Sequence, residues 1–405
     1  MVEQSSGEQS SGEQIRHPML VENTGDELSR QEFVKSLKLH LATSVSPGVH
    51  DALDGRAASK FAKKNGRPPE TMDEIRDALS DDPYFCFWSA LLRNSQEMMW
   101  RSVQIPVERQ IPEINKVAES ASGAGGTLRL DENLEIPAYH RSVDIHCMPG
   151  GYHTEFTDGD STNGAVYDRA VYLYAMGRLG GMNSDIGDTT IAYLKDKHPD
   201  FKPKRILDLG CAVGHSTLPY CDAWPDAEVY AIDVGAPVLR YAHARAERLG
   251  KKVHFSQQNA EATDFPDAHF DLIVSHILVH ETSNRAIRNI MKEANRLLSP
   301  GGLIVHAETP PYRDLPAYDA FMLDWDTRNN NEPYWGASHK IEAKAISAET
   351  GFDPELAFEA YQPSAFEEAE AKRLKVFQGG DFGGGGAWWV WGAQKPASAS
   401  VGGVQ

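Results

Sequence analysis

Asp208, Gly210 and Gly214 stand in the stretch ILDLGCAVGHST, Ile206 to Thr217, with the spacing acid-x-Gly-x-x-x-Gly. An apolar run ends in a glycine, and a short loop leads to a polar residue that opens a helix. Glycines in such a loop let the backbone approach a ligand closely, because no Cβ intervenes. A dinucleotide fingerprint would need glycine at the first, third and sixth loop positions. Counted from Gly210, those positions hold Gly210, Ala212 and His215, and a bulky His at the last would crowd helix against strand. A P-loop is also excluded, since no Gly-Lys-Ser/Thr follows. Two further segments carry acid–base groups. His280 and Glu281 lie in SHILVHETS, and a histidine titrates in the useful range for a base. Glu308 and Tyr312 lie in HAETPPY.

The elements around these residues are legible from Arg205 onward. RILDLG, EVYAIDV, KVHFSQQ, FDLIVSHIL and LIVHAET read as five strands. Helical patterns separate them: STLPYCDAW, APVLRYAHARAERLG closed by Gly250, and AIRNIMKEANRLLSPGG stopped by Pro300 and two glycines. Strands alternating with helices imply βαβ units and a parallel sheet. Two late segments, LKVFQGG and AWWVWGAQK, flank DFGGGG and predict an antiparallel edge hairpin.

In this order the segments resemble the class I S-adenosylmethionine-dependent methyltransferases. LDLGCAVG is similar to the family's glycine-rich first motif, and YAIDV supplies an acid, Asp233, at the end of the second strand. QQNAEATDFP resembles the segment after the third strand, with Asn259 in place of a frequent acid. FDLIVSHILVHE and LLSPGGLIV resemble the fourth- and fifth-strand motifs. The resemblance implies an α/β, doubly wound, Rossmann-like sheet of seven mostly parallel strands with an antiparallel edge hairpin, plus an α-helical N-terminal cap. It implies S-adenosyl-L-methionine as cofactor and S-adenosyl-L-homocysteine as product. The implied cofactor residues are Asp208, Gly210, Cys211, Gly214, Asp233, Val234, Asn259, Ala260, Glu261, Ser275, His276 and Tyr167. Asp233 accepts the ribose hydroxyls, Asp208 lies near the cationic methionine end, and Asn259, Ala260 and Glu261 match the adenine segment. The implied catalytic group is His280, Glu308 and Tyr312. For His280 two roles stand open, a base or a packing residue that orients its neighbours.

The rest of the chain supplies walls. Residues 1–25 and 395–405 are expected to be a disordered polar tail and a flexible tail, because EQSSGEQSSGEQ and KPASASVGGVQ can bury nothing. Residues 26–145 are expected to form the helical cap, serving substrate binding or dimerisation as a homodimer. Within it, Leu28, Phe33, Leu37 and Leu41 recur near helical spacing, Thr71 and Glu74 make a capping-box pattern, and ESASGAGG reads as a loop. Residues 146–394 form the expected methyltransferase domain, with an insertion over 311–345. The insertion's Asp324, Trp325, Asp326, Tyr334 and Trp335 suit either a cationic or aromatic acceptor or a lid packed on the core.

Lys and Arg total 40 against 58 Asp and Glu, so 40 − 58 gives −18. That charge disfavours nucleic acid and anionic membranes as partners. Cys86, Cys147, Cys211 and Cys221 form no CxxC pair, which suits a reducing cytoplasm. No metal is expected, since His146, His153 and His306 show no ligand spacing with Cys or acids. The expected activity is methyl transfer to a small-molecule oxygen or nitrogen. A protein or peptide acceptor and a silent cofactor-binding module are the alternatives.

Overall fold

In the sheet at the centre of the chain, residues alternate between two buried faces. Leu207 and Leu209 pack on one side with Ile273, Ile304 and the helix Asn284–Leu297. Ile206 packs on the other side with Val229, Val274 and the helix Ala236–Arg248. A strand covered on both faces reads as a continuous apolar run, which is why RILDL needs no polar alternation. The computed structural model describes residues 13–366 and 386–397. Its strands are β1 (Thr127–Arg129), β2 (Arg205–Leu209), β3 (Glu228–Asp233), β4 (Val253–Gln257), β5 (Phe270–His276), β6 (Leu298–Glu308), β7 (Ala357–Pro363) and β8 (Ala387–Gln394). They form one sheet in the order β1-β4-β3-β2-β5-β6-β8-β7. The pairs from β1 to β6 are parallel, and β8 runs antiparallel to both β6 and β7. From β2 the chain winds outward to β3 and then crosses back to β5, so a crevice opens at the carboxyl ends of β2 and β5.

The fold is the expected doubly wound α/β sheet, with one correction. It has eight strands rather than seven. The added strand, β1, lies inside the span assigned to the helical cap and joins β4 at the sheet edge. Three residues carry no period, so its sequence was silent. The preceding Gly126 is needed there, since a Cβ would lie 2.5 Å from the carbonyl oxygen of Val253. The partner of β8 is β7, and LKVFQGG and DFGGG lie outside the described residues.

The cap shares a core with the sheet domain. Helix Pro83–Arg109 buries Met99, Trp100 and Val103 against Ala165, Tyr172 and Tyr241. The capping box of Thr71 and Glu74 is present. Helix Gly25–His40 turns Leu28 and Phe33 outward and buries Gln31 and Lys38 instead. The Gln31 amide donates to the Ser102 carbonyl, and Lys38 donates to Gln96. The insertion packs on the cap through Phe321, Met322 and Trp325 against Leu79 and Trp88.

The tail expected to be disordered to residue 25 is packed from residue 13 onward. Met19 and Val21 are buried in the cap core. The Gln14 amide donates to Asp168, and His17 Nε2 lies 3.0 Å from Asp168 Oδ2. Asp168 is itself buried, and it also receives His215 Nε2 at 2.9 Å and the Tyr241 hydroxyl at 2.8 Å. Among the described residues no helix is long and apolar enough to cross a membrane.

Candidate active site

The loop after β2 turns three times through the left-handed region, at Gly210 (φ 69), Ala212 (φ 44) and Gly214 (φ 78). A Cβ on Gly210 would lie 2.6 Å from Leu278 Cδ1, so that position requires glycine. Ala212 carries a small Cβ in the same region, and its N–H donates to Asp233 Oδ2 at 3.0 Å. The other Asp233 oxygen accepts from Gly235 N–H at 2.8 Å. Burial raises the Asp233 carboxyl to about 6 despite these two backbone donors. The loop and the ends of β3 and β5 line a cavity.

Seven of the expected cofactor residues line that cavity: Tyr167, Gly210, Asp233, Val234, Asn259, Ala260 and His276. The other five stand behind its wall. Asp208 accepts from the Thr217 hydroxyl at 2.5 Å and lies 3.3 Å from His276 Nδ1, so it reaches the cavity through His276. Ser275 is bonded to His306 Nδ1 at 2.7 Å inside the sheet. Glu261 accepts from Asn289. Gly214 supplies a turn, with only ordinary contacts near 3.8 Å around its missing Cβ. Burial pushes the Cys211 thiol well above its usual range.

A second cavity adjoins the first, and Tyr152, Tyr167 and Ile277 line both. Ile277 has φ 51, an outlier for a β-branched residue, and its N–H is held by the Ala307 carbonyl at 2.9 Å. Strain of this kind persists only where surroundings over-determine it, and here it sits at the junction of two cavities. Trp100, Val171, Leu179, Ile186, Trp335 and Trp388 make the second cavity apolar and largely aromatic. His146 and His280 give it a polar floor.

Of the three expected catalytic residues, two meet at that floor. His280 Nδ1 lies 2.7 Å from Glu308 Oε2, and Glu308 Oε1 accepts the Val279 N–H at 2.7 Å. Burial alone would lower the imidazole's pKa, but Glu308, Glu332 and Glu281 outweigh it and the net shift is upward. Tyr312 lies elsewhere. Its hydroxyl donates to Asp324 at 2.6 Å and its ring stacks on His339 at 4.8 Å, so it anchors the insertion and lines neither cavity. Trp325 is likewise spent on the cap, donating to Ser89. Trp335 faces the site, edge-on to His280 at 4.7 Å.

Several site residues carried no usable signal in the sequence. Tyr152 donates to Glu281 at 2.7 Å, and Glu281 lines the first cavity. Burial would raise the Glu281 carboxyl, yet His146 and Tyr152 hold it below its usual range. His146 lies between Glu281 (3.1 Å) and the buried Glu332 (2.8 Å). Tyr139, edge-on to Tyr334 of the insertion, closes the first cavity.

Residues 206–302 match the model of a family described as a methyltransferase domain. A demethylmenaquinone methyltransferase of Thermus thermophilus is 36% identical over 121 residues, 30% of this chain and 52% of the relative. A malonyl-(acyl-carrier protein) O-methyltransferase of Methylococcus capsulatus is 31% identical over 129 residues, 31% of this chain and 43% of the relative. The solved structure of phosphoethanolamine N-methyltransferase 2 from Haemonchus contortus, in complex with S-adenosyl-L-methionine, aligns at 14% identity and a TM-score of 0.36. It covers 52% of this chain and 52% of that one. The chain spans about half the length of the curated relatives it matches.

Proposed function

We propose that the protein transfers the methyl group of S-adenosylmethionine to a small-molecule oxygen or nitrogen, a reading supported by the match of residues 206–302 to a methyltransferase domain. The observation that carries this is the pair of cavities meeting at Tyr152, Tyr167 and Ile277. One is built for a nucleoside and the other for a largely apolar acceptor. In the first, Asp233 takes the ribose hydroxyls as charge-assisted bonds, and Asn259 and Ala260 meet the adenine. The cofactor has no phosphate, so the loop needs no anion cradle.

Methyl transfer is an in-line displacement. A lone pair of the acceptor bonds the methyl carbon as the carbon–sulfur bond breaks, and the sulfur leaves neutral. The protein's tasks are to align, to exclude water and to take a proton. The aromatic walls exclude water and fit a flat acceptor. His280 Nε2, with Glu308 behind Nδ1, is the group that takes the acceptor's proton. The cavity's largely aromatic lining favours a small molecule over a peptide chain. The Thermus and Methylococcus relatives are named for a quinone-type and an acyl-carrier acceptor, so the names narrow the acceptor no further.

Calorimetric titration of the full chain with S-adenosylmethionine tests the proposal. One site per chain is expected. An absence of binding would sink it.

A further inference from the structure

The floor of the second cavity has a gap that the proton-transfer role of His280 leaves unexplained. His280 Nε2 and Glu332 Oε2 face each other at 3.9 Å, and neither atom has a hydrogen-bond partner. Both side chains are almost wholly buried, at 2% and 0% exposure. Leaving two such atoms unpaired is costly. The separation is too long for a hydrogen bond. It is shorter than the roughly 4.2 Å limit for two ligands that each stand about 2.1 Å from one cation.

His146 completes the group: ligand atoms of His146, His280 and Glu332 all lie within 4.8 Å of one another. Behind each imidazole stands a carboxylate. Glu308 holds His280 Nδ1 at 2.7 Å, and Glu281 holds His146 Nε2 at 3.1 Å. A carboxylate on the far nitrogen is the arrangement that fixes the tautomer and aims the other lone pair at a metal. Glu332 Oε1 accepts from Asn330 Nδ2 at 2.8 Å, and His146 Nδ1 stands 2.8 Å from the same oxygen, a contact whose proton a bound cation would displace. Three carboxylates thus face two imidazoles in a confined site, and a divalent cation would offset that excess.

We infer that His146 Nδ1, His280 Nε2 and the Glu332 carboxylate bind one divalent transition-metal cation, with its remaining positions open to the aromatic cavity. Two imidazoles and one carboxylate suit zinc, cobalt, manganese or iron(II), whereas magnesium and calcium prefer all-oxygen sets. The inference rests on the proposed acceptor cavity and changes one assignment within it. In the loaded protein His280 would be a ligand rather than the base, and the cation would supply a Lewis-acid position for the acceptor's oxygen.

The test uses the full, untagged chain, stripped with a chelator and dialysed against zinc or cobalt. Metal content by mass spectrometry and the visible spectrum of the cobalt form are the readouts, and S-adenosylmethionine titration runs on the same samples. The expected result is about one metal per chain, lost in Glu332→Gln and in His280→Asn. Glu308→Gln should weaken metal affinity roughly 10- to 100-fold, as removal of a group behind a ligand does. Retained S-adenosylmethionine affinity in these variants shows that the fold survives. A wild-type chain that binds S-adenosylmethionine but retains no metal overturns the metal site and leaves the methyl-donor proposal standing. Variants that hold as much metal as wild type also overturn it. A wild-type chain that binds metal but no S-adenosylmethionine sinks the proposed function alone.

Discussion

Two buried polar clusters lie on either side of the helix Thr162–Tyr174, and they are built on opposite balances of charge. Around Asp168 one carboxylate meets many donors: Gln14, His17, His215, Tyr241 and, at 3.7 Å, Arg245. Burial would raise the Asp168 carboxyl, but His215, His17 and Arg245 hold it well below its usual range. At the cavity floor the ratio is reversed. Glu281, Glu308 and Glu332 share His146 and His280, and an atom on each side of the gap has no partner. Both clusters leave buried atoms unpartnered, His17 Nδ1 and Nε2 and Arg245 Nε around Asp168, and His280 Nε2 and Glu332 Oε2 at the floor. Around Asp168 the surplus is of donors and lines neither cavity, whereas at the floor the surplus is of acids beside a cavity, where a cation can answer it. The first cluster therefore reads as architecture, clasping the N-terminal segment to the sheet, and the second as chemistry.

The largest expected effect comes from breaking the cluster around Asp168. Asp168→Asn removes the anion that His17, His215 and Arg245 share, and it should cost about 3–5 kcal/mol of stability, as the loss of one partner of a buried charge cluster does. Urea denaturation measures it. A loss under about 1 kcal/mol would mean the cluster is not what clasps the tail. A smaller effect is expected at the first cavity. Asp233→Ala should lower S-adenosylmethionine affinity by about 1.5–3 kcal/mol, the worth of hydrogen bonds to a charged group. Calorimetry reads it, and an unchanged affinity would move the ribose elsewhere.

The pH dependence of that same site should be smaller again. Asp233 is raised to about 6 by burial. In the proposed ribose contact its ionised form would be the acceptor, so cofactor affinity should fall roughly tenfold per pH unit below about 6. Stability of the cofactor-free chain should run the other way. A raised folded-state pKa contributes stability that is present at acid pH and is lost as pH rises through about 6. Opposite slopes for affinity and stability across that window would locate the titration at Asp233. Parallel slopes would assign it to another group.

Local signals made the sheet domain legible and the site only half so. The five inner strands have long apolar runs and helices between them, and each stands where the pattern put it. β1 has three residues and no period. β7, in AFEAYQP, alternates between exposed and half-buried positions as an edge strand does, and its pairing with β8 spans a long connection. The cofactor cavity was legible because its residues follow strand ends in chain order. Position after a strand did not fix direction, which is how Tyr312 came to be captured by Asp324 and His339. The cavity floor was illegible for a plainer reason. His146, His280 and Glu332 come from three distant segments, so no spacing joins them, and only the packing of the insertion on the cap brings Glu332 inward.

The smallest expected effect is the sharpest test of the contrast between the clusters. Glu332→Gln, measured without metal, should change stability by less than about 1 kcal/mol in either direction. The variant removes one carboxylate from a floor where acids outnumber imidazoles, and His146 keeps Glu281 as its counter-ion. The amide retains the oxygen that Asn330 and His146 bond, and its NH₂ can donate toward the unpartnered His280 Nε2. Asp168 offers no such relief, since Oδ1 accepts from Gln14 and pairs with His215 while Oδ2 accepts from Tyr241 and faces His17. Functional sites hold residues that stability alone would replace. If Glu332→Gln costs as much as Asp168→Asn, the floor is a structural cluster like the other, and its two unpartnered atoms are not a demand that a ligand meets.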